Sequence, residues 1–360
     1  MLDFTSSLYL GFRHETRSLR PWSQLTTGAP AALVRPPGSD RVASQLARLQ
    51  ECEAASLAPA TLHLFWDLFG LLAGRQITIY LDAGTYPIAR WGVERAAARG
   101  IPVHSFPHKD AGALRRLLRQ GAGNHRPVVV ADGLCTACGC VVPVADYLDS
   151  VRRAGGLLVV DDTQALGLLG HSPGLELPYG RGGGGSLRYQ NISGPDVMVI
   201  SSLAKGFGAP LAALSGSGEM VRPFEARSET RVHCSPPSVA TIHAAEHALA
   251  LNAERGDSLR MQLVQRVHLF RRRLVDVGLA ADGGLFPVQT LKSLPNLDAR
   301  RMHRQLLNLG VRTVLRHSHN EARISFIITA RHQPDEIDHA VSVLARLQNN
   351  IGLFKHMPSR

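Results

Sequence analysis

Two residues of this 360-residue chain have the type and setting for chemistry, Lys205 and Asp161. Lys205 lies in Val199-Ile200-Ser201-Ser202-Leu203-Ala204-Lys205-Gly206-Phe207-Gly208, where an apolar, β-branched strand runs into hydroxyls, a lysine and glycines. Lysines ordinarily stay solvated. One that ends a buried strand has its pKa lowered by desolvation and becomes a nucleophile of the Schiff-base kind. Lysine is also scarce here: Lys109, Lys205, Lys292 and Lys355 are the only four. Asp161 follows the apolar run Leu157-Leu158-Val159-Val160. A carboxylate in that place needs a cationic partner. The protonated ring nitrogen of a cofactor used as an electron sink is one such partner. An acid after one strand and a lysine after the next make a stronger signal together than either does alone.

Residues 77–81, 128–131, 157–160 and 197–201 read as apolar strands, with helical stretches over 92–99 and 144–153. Apolar strands separated by helices predict a mostly parallel sheet covered on both faces. Such sheets bind ligands at the C-terminal ends of their strands. That is where Asp82 to Tyr86, Asp132 to Thr136, Asp161 to Gln164 and Ser202 to Lys205 fall. Residues 170–195, rich in glycine and proline, predict a loop. Helical periodicity runs over 240–277, and strands over 286–291, 311–315 and 323–329 with a helix over 335–347 predict a smaller α+β domain. The expected division is an N-terminal arm over 1–40, a large domain over 41–245 and a small domain over 246–360.

The length suffices for a full core. Hydrophobic content of 44% and charged content of 19% are ordinary for a globular chain. No uncharged apolar run reaches membrane-spanning length, and the first residues lack a signal-peptide pattern, so the cytoplasm is the expected location. The five cysteines, an odd number, predict no disulfide framework. A net charge of +11 comes mostly from dispersed arginines without a nucleic-acid-binding signature. It suits an anionic substrate such as a phosphate or a coenzyme A thioester.

Several stretches resemble the α-oxoamine synthase family of fold-type I pyridoxal-phosphate enzymes. Leu2 to Gly11 resembles the family's N-terminal NFSSNDYLGL, and Asp161 to Gly167 its DEAHSxG. Ser202 to Gly208 resembles SKAFG with its preceding hydroxyl, and Ser235-Pro236-Pro237 a later SxxPP. The resemblance implies an α/β fold of type I with a small C-terminal α+β domain, pyridoxal 5'-phosphate as cofactor, and a homodimer. It implies Lys205 as the cofactor lysine and general base, and Asp161 as partner of the pyridinium. Thr163 would lie under the ring and Ser202 would bond the phosphate. Backbone N–H groups of Thr61 and Leu62 would also hold the phosphate, and Thr136 would reach the phenolic oxygen. His233 to Ser235 would complete the site of the other subunit.

The implied activity is a decarboxylative condensation of an amino acid with an acyl thioester, on coenzyme A or a carrier protein, to an α-amino ketone. Alternatives are an aminotransferase or decarboxylase on the same fold, or a non-catalytic homologous subunit. Ala204 stands in place of the family serine before the lysine, and four further family positions differ. The ring-stacking histidine becomes Tyr86, and the motif histidine becomes Gln164. The N-terminal asparagine that helps to hold the substrate carboxylate becomes Ser7, and the arginine that clamps it becomes Ser325, with Arg323 two positions away on the same strand face. The cluster Cys135, Cys138, Cys140 is too compact for the paired ligands of structural zinc, so no metal is expected. His104 and His108 flank Pro107 and read as surface histidines, Asp110 as a solvated charge, and Asp162 as a helix-start residue. Asp132 reads as a residue that orients the pocket or caps a helix.

Overall fold

The structure, a computed structural model, describes residues 1–121, 125–292, 298–318 and 321–353; Lys355 lies outside them. The strands are β1 (Leu2–Asp3), β2 (Ala54–Ala58), β3 (Ile77–Asp82), β4 (Val103–Phe106), β5 (Arg126–Asp132), β6 (Leu157–Asp161) and β7 (Val197–Ser202). They continue as β8 (Ala212–Gly216), β9 (Ala281–Asp282), β10 (Val288–Leu291), β11 (Val311–Arg312), β12 (Val314–Ser318) and β13 (Glu321–Ile327). The helices are α1 (Ser39–Leu49), α2 (Thr61–Leu72), α3 (Pro87–Ala97), α4 (Ala111–Gln120), α5 (Val144–Arg153) and α6 (Ser186–Tyr189). They continue as α7 (Gly218–Arg227), α8 (Glu229–His233), α9 (Val239–Asp276), α10 (Ala299–Asn308) and α11 (Pro334–Leu353). The chain divides into two compact units. One holds Phe12–Cys135 and Val141–Asp257. The other holds Met1–Gly11, Thr136–Cys140 and the chain from Ser258 onward.

The larger unit is built on a seven-stranded sheet of order β2-β8-β7-β6-β5-β3-β4. Strands β4, β3, β5, β6 and β7 are parallel, and β8 runs antiparallel to both its neighbours. Side chains alternate across the pleat. Ile79, Val130, Val159 and Ile200 pack with Phe65, Phe69 and Val93 of α2 and α3. Their neighbours Val129, Leu158, Val160 and Val199 point to the opposite face, and α5 packs against β5 and β6. Both faces are therefore buried, which is why these strands read as continuous apolar runs. The register sets Asp132 beside Asp161 and Asp161 beside Ile200, so the polar strand ends lie in a row.

In the smaller unit β12-β13-β10-β9 form an antiparallel sheet, and β1 pairs in parallel with β11. Phe4 is fully buried there, stacked on His332 at 4.3 Å and edge-on to Phe326 at 5.5 Å. The N-terminal residues are thus core of this unit.

Three expected elements shift. The helix expected over 92–99 begins at Pro87, because proline supplies the helical φ and needs no amide partner at the first helical position. The strand expected over 311–315 is two strands, broken at Thr313. The loop over 170–195 contains the single turn α6.

Candidate active site

Asp161 closes β6 and is 6% exposed. Burial raises its carboxyl pKa, while the Thr163 hydroxyl and amide and the charge of Lys205 hold the shift back. The Thr163 amide donates to Asp161 Oδ1 at 3.0 Å. Its hydroxyl also accepts from the Ser202 amide at 3.2 Å, which ties the end of β6 to the end of β7. Ser202 in turn accepts from the Ala204 amide at 3.2 Å. This turn puts Lys205 within electrostatic reach of Asp161. Burial lowers the lysine pKa and Asp161 raises it in part. The turn is also fixed by backbone contact. A Cβ on Gly206 would come 2.7 Å from the Leu166 carbonyl oxygen, so only glycine fits.

Two further acids crowd this place. Asp132 has its pKa raised by burial and by the Asp161 charge, and it accepts from the Tyr86 amide at 3.0 Å. Asp162 is pushed up to about 7 by burial. It accepts from the Ser186 amide at 3.0 and 3.2 Å, which corrects its expected place at a helix start. Asp161 meets the charge of Lys205 and Asp132 that of Arg90, yet burial still raises all three carboxyl groups. A cationic ring nitrogen beside Asp161 fits such surroundings. The N-terminus of α2 is suited to an anion: no side chain caps it and its first turn holds no acid. Thr61 and Leu62 are its first residues. The residues present therefore fit pyridoxal 5'-phosphate at both its cationic and its anionic ends.

Tyr86 is the N-cap of α3, with its ring 44% exposed. The loop before it is braced by Asp82, which is 1% exposed. Asp82 accepts from the Gly84 amide at 2.7 Å and the Tyr147 hydroxyl at 2.8 Å, and its Oδ1 lies 2.7 Å from His108 Nδ1. His108 is thus no solvated surface histidine, because a buried carboxylate requires a donor there. Asp110 is corrected too: it caps α4, accepting from the Ala113 amide at 2.8 Å. The brace drew no notice in the sequence because its members share no spacing.

Gln164 is half-buried beside Thr163. His233 and Ser235 are exposed, on a segment anchored by Asp67 of α2, which accepts from Thr230 Oγ1 at 2.6 Å. Thr136 lies in the smaller unit, where its carbonyl accepts from Arg316 at 3.3 Å. Ser7, Arg323 and Ser325 also belong to that unit. Ser325 is fully buried with its hydroxyl 2.8 Å from that of Thr290. Arg323 pairs with Asp282 at 2.7 Å. Arg316 stands directly opposite Arg323 across β12 and β13. Like charges placed opposite one another repel unless something anionic joins them. Arg316 went unnoticed in the sequence, since its register is visible only once the strands pair.

The fold is that of the fold-type I pyridoxal-phosphate enzymes. The chain belongs to the aminotransferase class I and II family, whose model matches residues 63–344. It is similar to the 8-amino-7-oxononanoate synthase of Sodalis glossinidius, 28% identical over 363 residues, covering 97% of this chain and 89% of the relative. It is also similar to that of Trichlorobacter lovleyi, 26% identical over 297 residues, covering 80% and 71%. Among solved structures, serine palmitoyltransferase from S. paucimobilis with bound PLP and myriocin superposes with a TM-score of 0.84 at 14% identity, covering 98% of this chain and 88% of that one. The 8-amino-7-oxononanoate synthase from Francisella tularensis superposes with a TM-score of 0.73 at 15% identity, covering 97% and 98%. At such identities the structural likeness speaks for the fold alone. Among the described residues no helix is long and apolar enough to cross a membrane.

Proposed function

We propose that the chain is a pyridoxal-phosphate-dependent acyltransferase of the α-oxoamine synthase type. It would join an amino acid to an acyl thioester, on coenzyme A or a carrier protein, releasing carbon dioxide and the thiol and giving an α-amino ketone. The observation that carries this reading is the desolvated Lys205 within electrostatic reach of buried Asp161, the two following adjacent strands.

Lys205 would bind the cofactor through its amine, and Asp161 would meet the ring nitrogen. Tyr86 and Thr163 would lie on the two ring faces, with Thr136 and Gln164 toward the phenolic oxygen. Ser202 and the amides of Thr61 and Leu62 would hold the phosphate, joined by Ser235 of a second copy. The bound cofactor supplies an electron sink for the carbanion left at the substrate α-carbon. The amine of Lys205, which burial biases toward its neutral form, takes the α-proton. Asp161 keeps the opposing positive charge in place. Arg323 and Arg316 would take up the substrate carboxylate, with Ser7 and Ser325 at the family's two other carboxylate positions.

A homodimer is supported by exposed apolar side chains of α2, α3 and α8, namely Leu62, Trp66, Trp91 and Val232. Five free thiols suit the cytoplasm.

The test is borohydride reduction of the purified yellow protein, followed by peptide mapping. Label on Lys205, and a colourless Lys205→Ala variant, are expected. Label on another lysine or on none overturns the cofactor reading. Thiol release is then measured with a panel of amino acids against acyl-coenzyme A and acyl-carrier protein. Turnover of an amino acid without thiol release would assign an aminotransferase or decarboxylase instead.

A further inference from the structure

The segment after Gly11 reaches the lysine turn. Phe12 lies parallel to Phe207, with ring centroids 6.4 Å apart and planes 10° apart. Half-buried His14 places its Nε2 2.8 Å from the Phe207 carbonyl oxygen and its Nδ1 3.1 Å from Nδ1 of His247 in α9. A carbonyl oxygen only accepts, so His14 carries its proton on Nε2. Neutral imidazole has one proton. His14 Nδ1 is therefore an acceptor, and the N–H of His247 Nδ1 donates to it. One N–H therefore lies between the two rings, and a second proton on His14 would leave its Nε2–H on the Phe207 carbonyl, a bond that itself favours the charged ring.

The surroundings favour the single proton. Burial pushes the His14 pKa down, the Phe207 carbonyl opposes this in part, and the His247 charge adds to the lowering. Ser18 Oγ lies 3.5 Å from His247 Nδ1. From α9 also come His243, held to the Arg20 carbonyl, and Glu246, taken by Arg20 and Arg41. Arg13 and Glu15 flank His14 and are exposed. Lys205 sits two residues before Phe207. The far side of the turn is backbone, with Gly206 against Leu166 and Gly167. One wall of the turn is thus fixed by main chain, and the other is held by His14.

Resting on the reading of Lys205 as the cofactor lysine, we propose that His14 is a positioning residue for Lys205. It holds the lysine turn by donating from Nε2 to the Phe207 carbonyl, a bond that the ring makes in either protonation state.

The test is hydrogen exchange read by mass spectrometry over residues 203–210 of the purified holoprotein. Wild type, His14→Ala, His14→Phe and His14→Gln are compared at about pH 8, with rates referred to the unstructured chain. His14→Ala and His14→Phe, which cannot donate to the Phe207 carbonyl, should exchange about tenfold faster than wild type. His14→Gln should stay near wild type, since its amide can donate to Phe207. Wild-type protection in both His14→Ala and His14→Phe, or loosening in His14→Gln as large as theirs, overturns the proposal. Should His14→Ala not fold, His14→Phe and His14→Gln still decide it. Exchange does not require Lys205 to hold the cofactor, so borohydride label on another residue would sink that reading separately.

Discussion

Replacing Asp161 by asparagine keeps the shape of the side chain and removes one buried charge. In the structure that charge is the one opposite Lys205, and Thr163 supports it with two hydrogen bonds. The Thr163 amide can still donate to the asparagine oxygen, so the end of β6 should keep its form. The loss is electrostatic. A charge pair about 4 Å apart at an effective dielectric constant near 20 is worth about 4 kcal/mol. Only the part of that attraction that grows as the α-proton leaves appears in the rate. If most of it does, loss of α-proton exchange comes to about a thousandfold. A second effect has the same sign of cause: with the aspartate charge gone, burial of Lys205 is unopposed and its pKa falls further. The assay is exchange of the α-proton into heavy water, followed by NMR with saturating amino acid, alongside cofactor content by absorbance. Cofactor should still bind to Asp161→Asn while exchange falls by two to three powers of ten, roughly. Exchange within about threefold of wild type would refute the assignment, because no other partner for the ring nitrogen has been named.

Asp162→Asn tests the crowding of carboxyl groups from the side of stability. The folded pKa of Asp162 is raised to about 7, so the unfolded chain ionises first as pH rises from about 4, and stability is lost across that window. Asparagine removes that dependence and should stabilise the fold at pH 8 by up to about 4 kcal/mol in denaturant titrations, whereas an unchanged pH profile would show that Asp162 is not the buried acid responsible. Arg323→Ala and Arg316→Ala should each raise the amino-acid dissociation constant about tenfold or more, read by spectral titration; tight binding indifferent to both would send the search to amines or to another arginine.

What the sequence made legible was set by periodicity and by chain-local motifs. The parallel strands β3, β5, β6 and β7 announced themselves because burial on two faces makes them nearly all apolar, whereas β4, with His104 and Ser105 exposed, was missed; 144–153 matched α5 at both ends. Strands β2 and β8 were missed, since Ala54 to Ala58 and Ala212 to Gly216 are small-residue stretches with little β-branched signal. The site divides in the same way. Lys205, Ser202, Asp161 and Thr163 each follow a strand at a fixed offset, so strand register alone brings them together. His14, Arg316 and the Asp82–His108 pair depend on residues 193, 7 and 26 positions away respectively, counted to Phe207, Arg323 and each other. No spacing in the chain encodes those distances. The tertiary partners are also the ones that set protonation: the carbonyl that fixes the proton on His14, and the histidine that meets Asp82. The cofactor lysine can therefore be found from one segment, but the groups that hold it in place come from segments that only the fold makes neighbours.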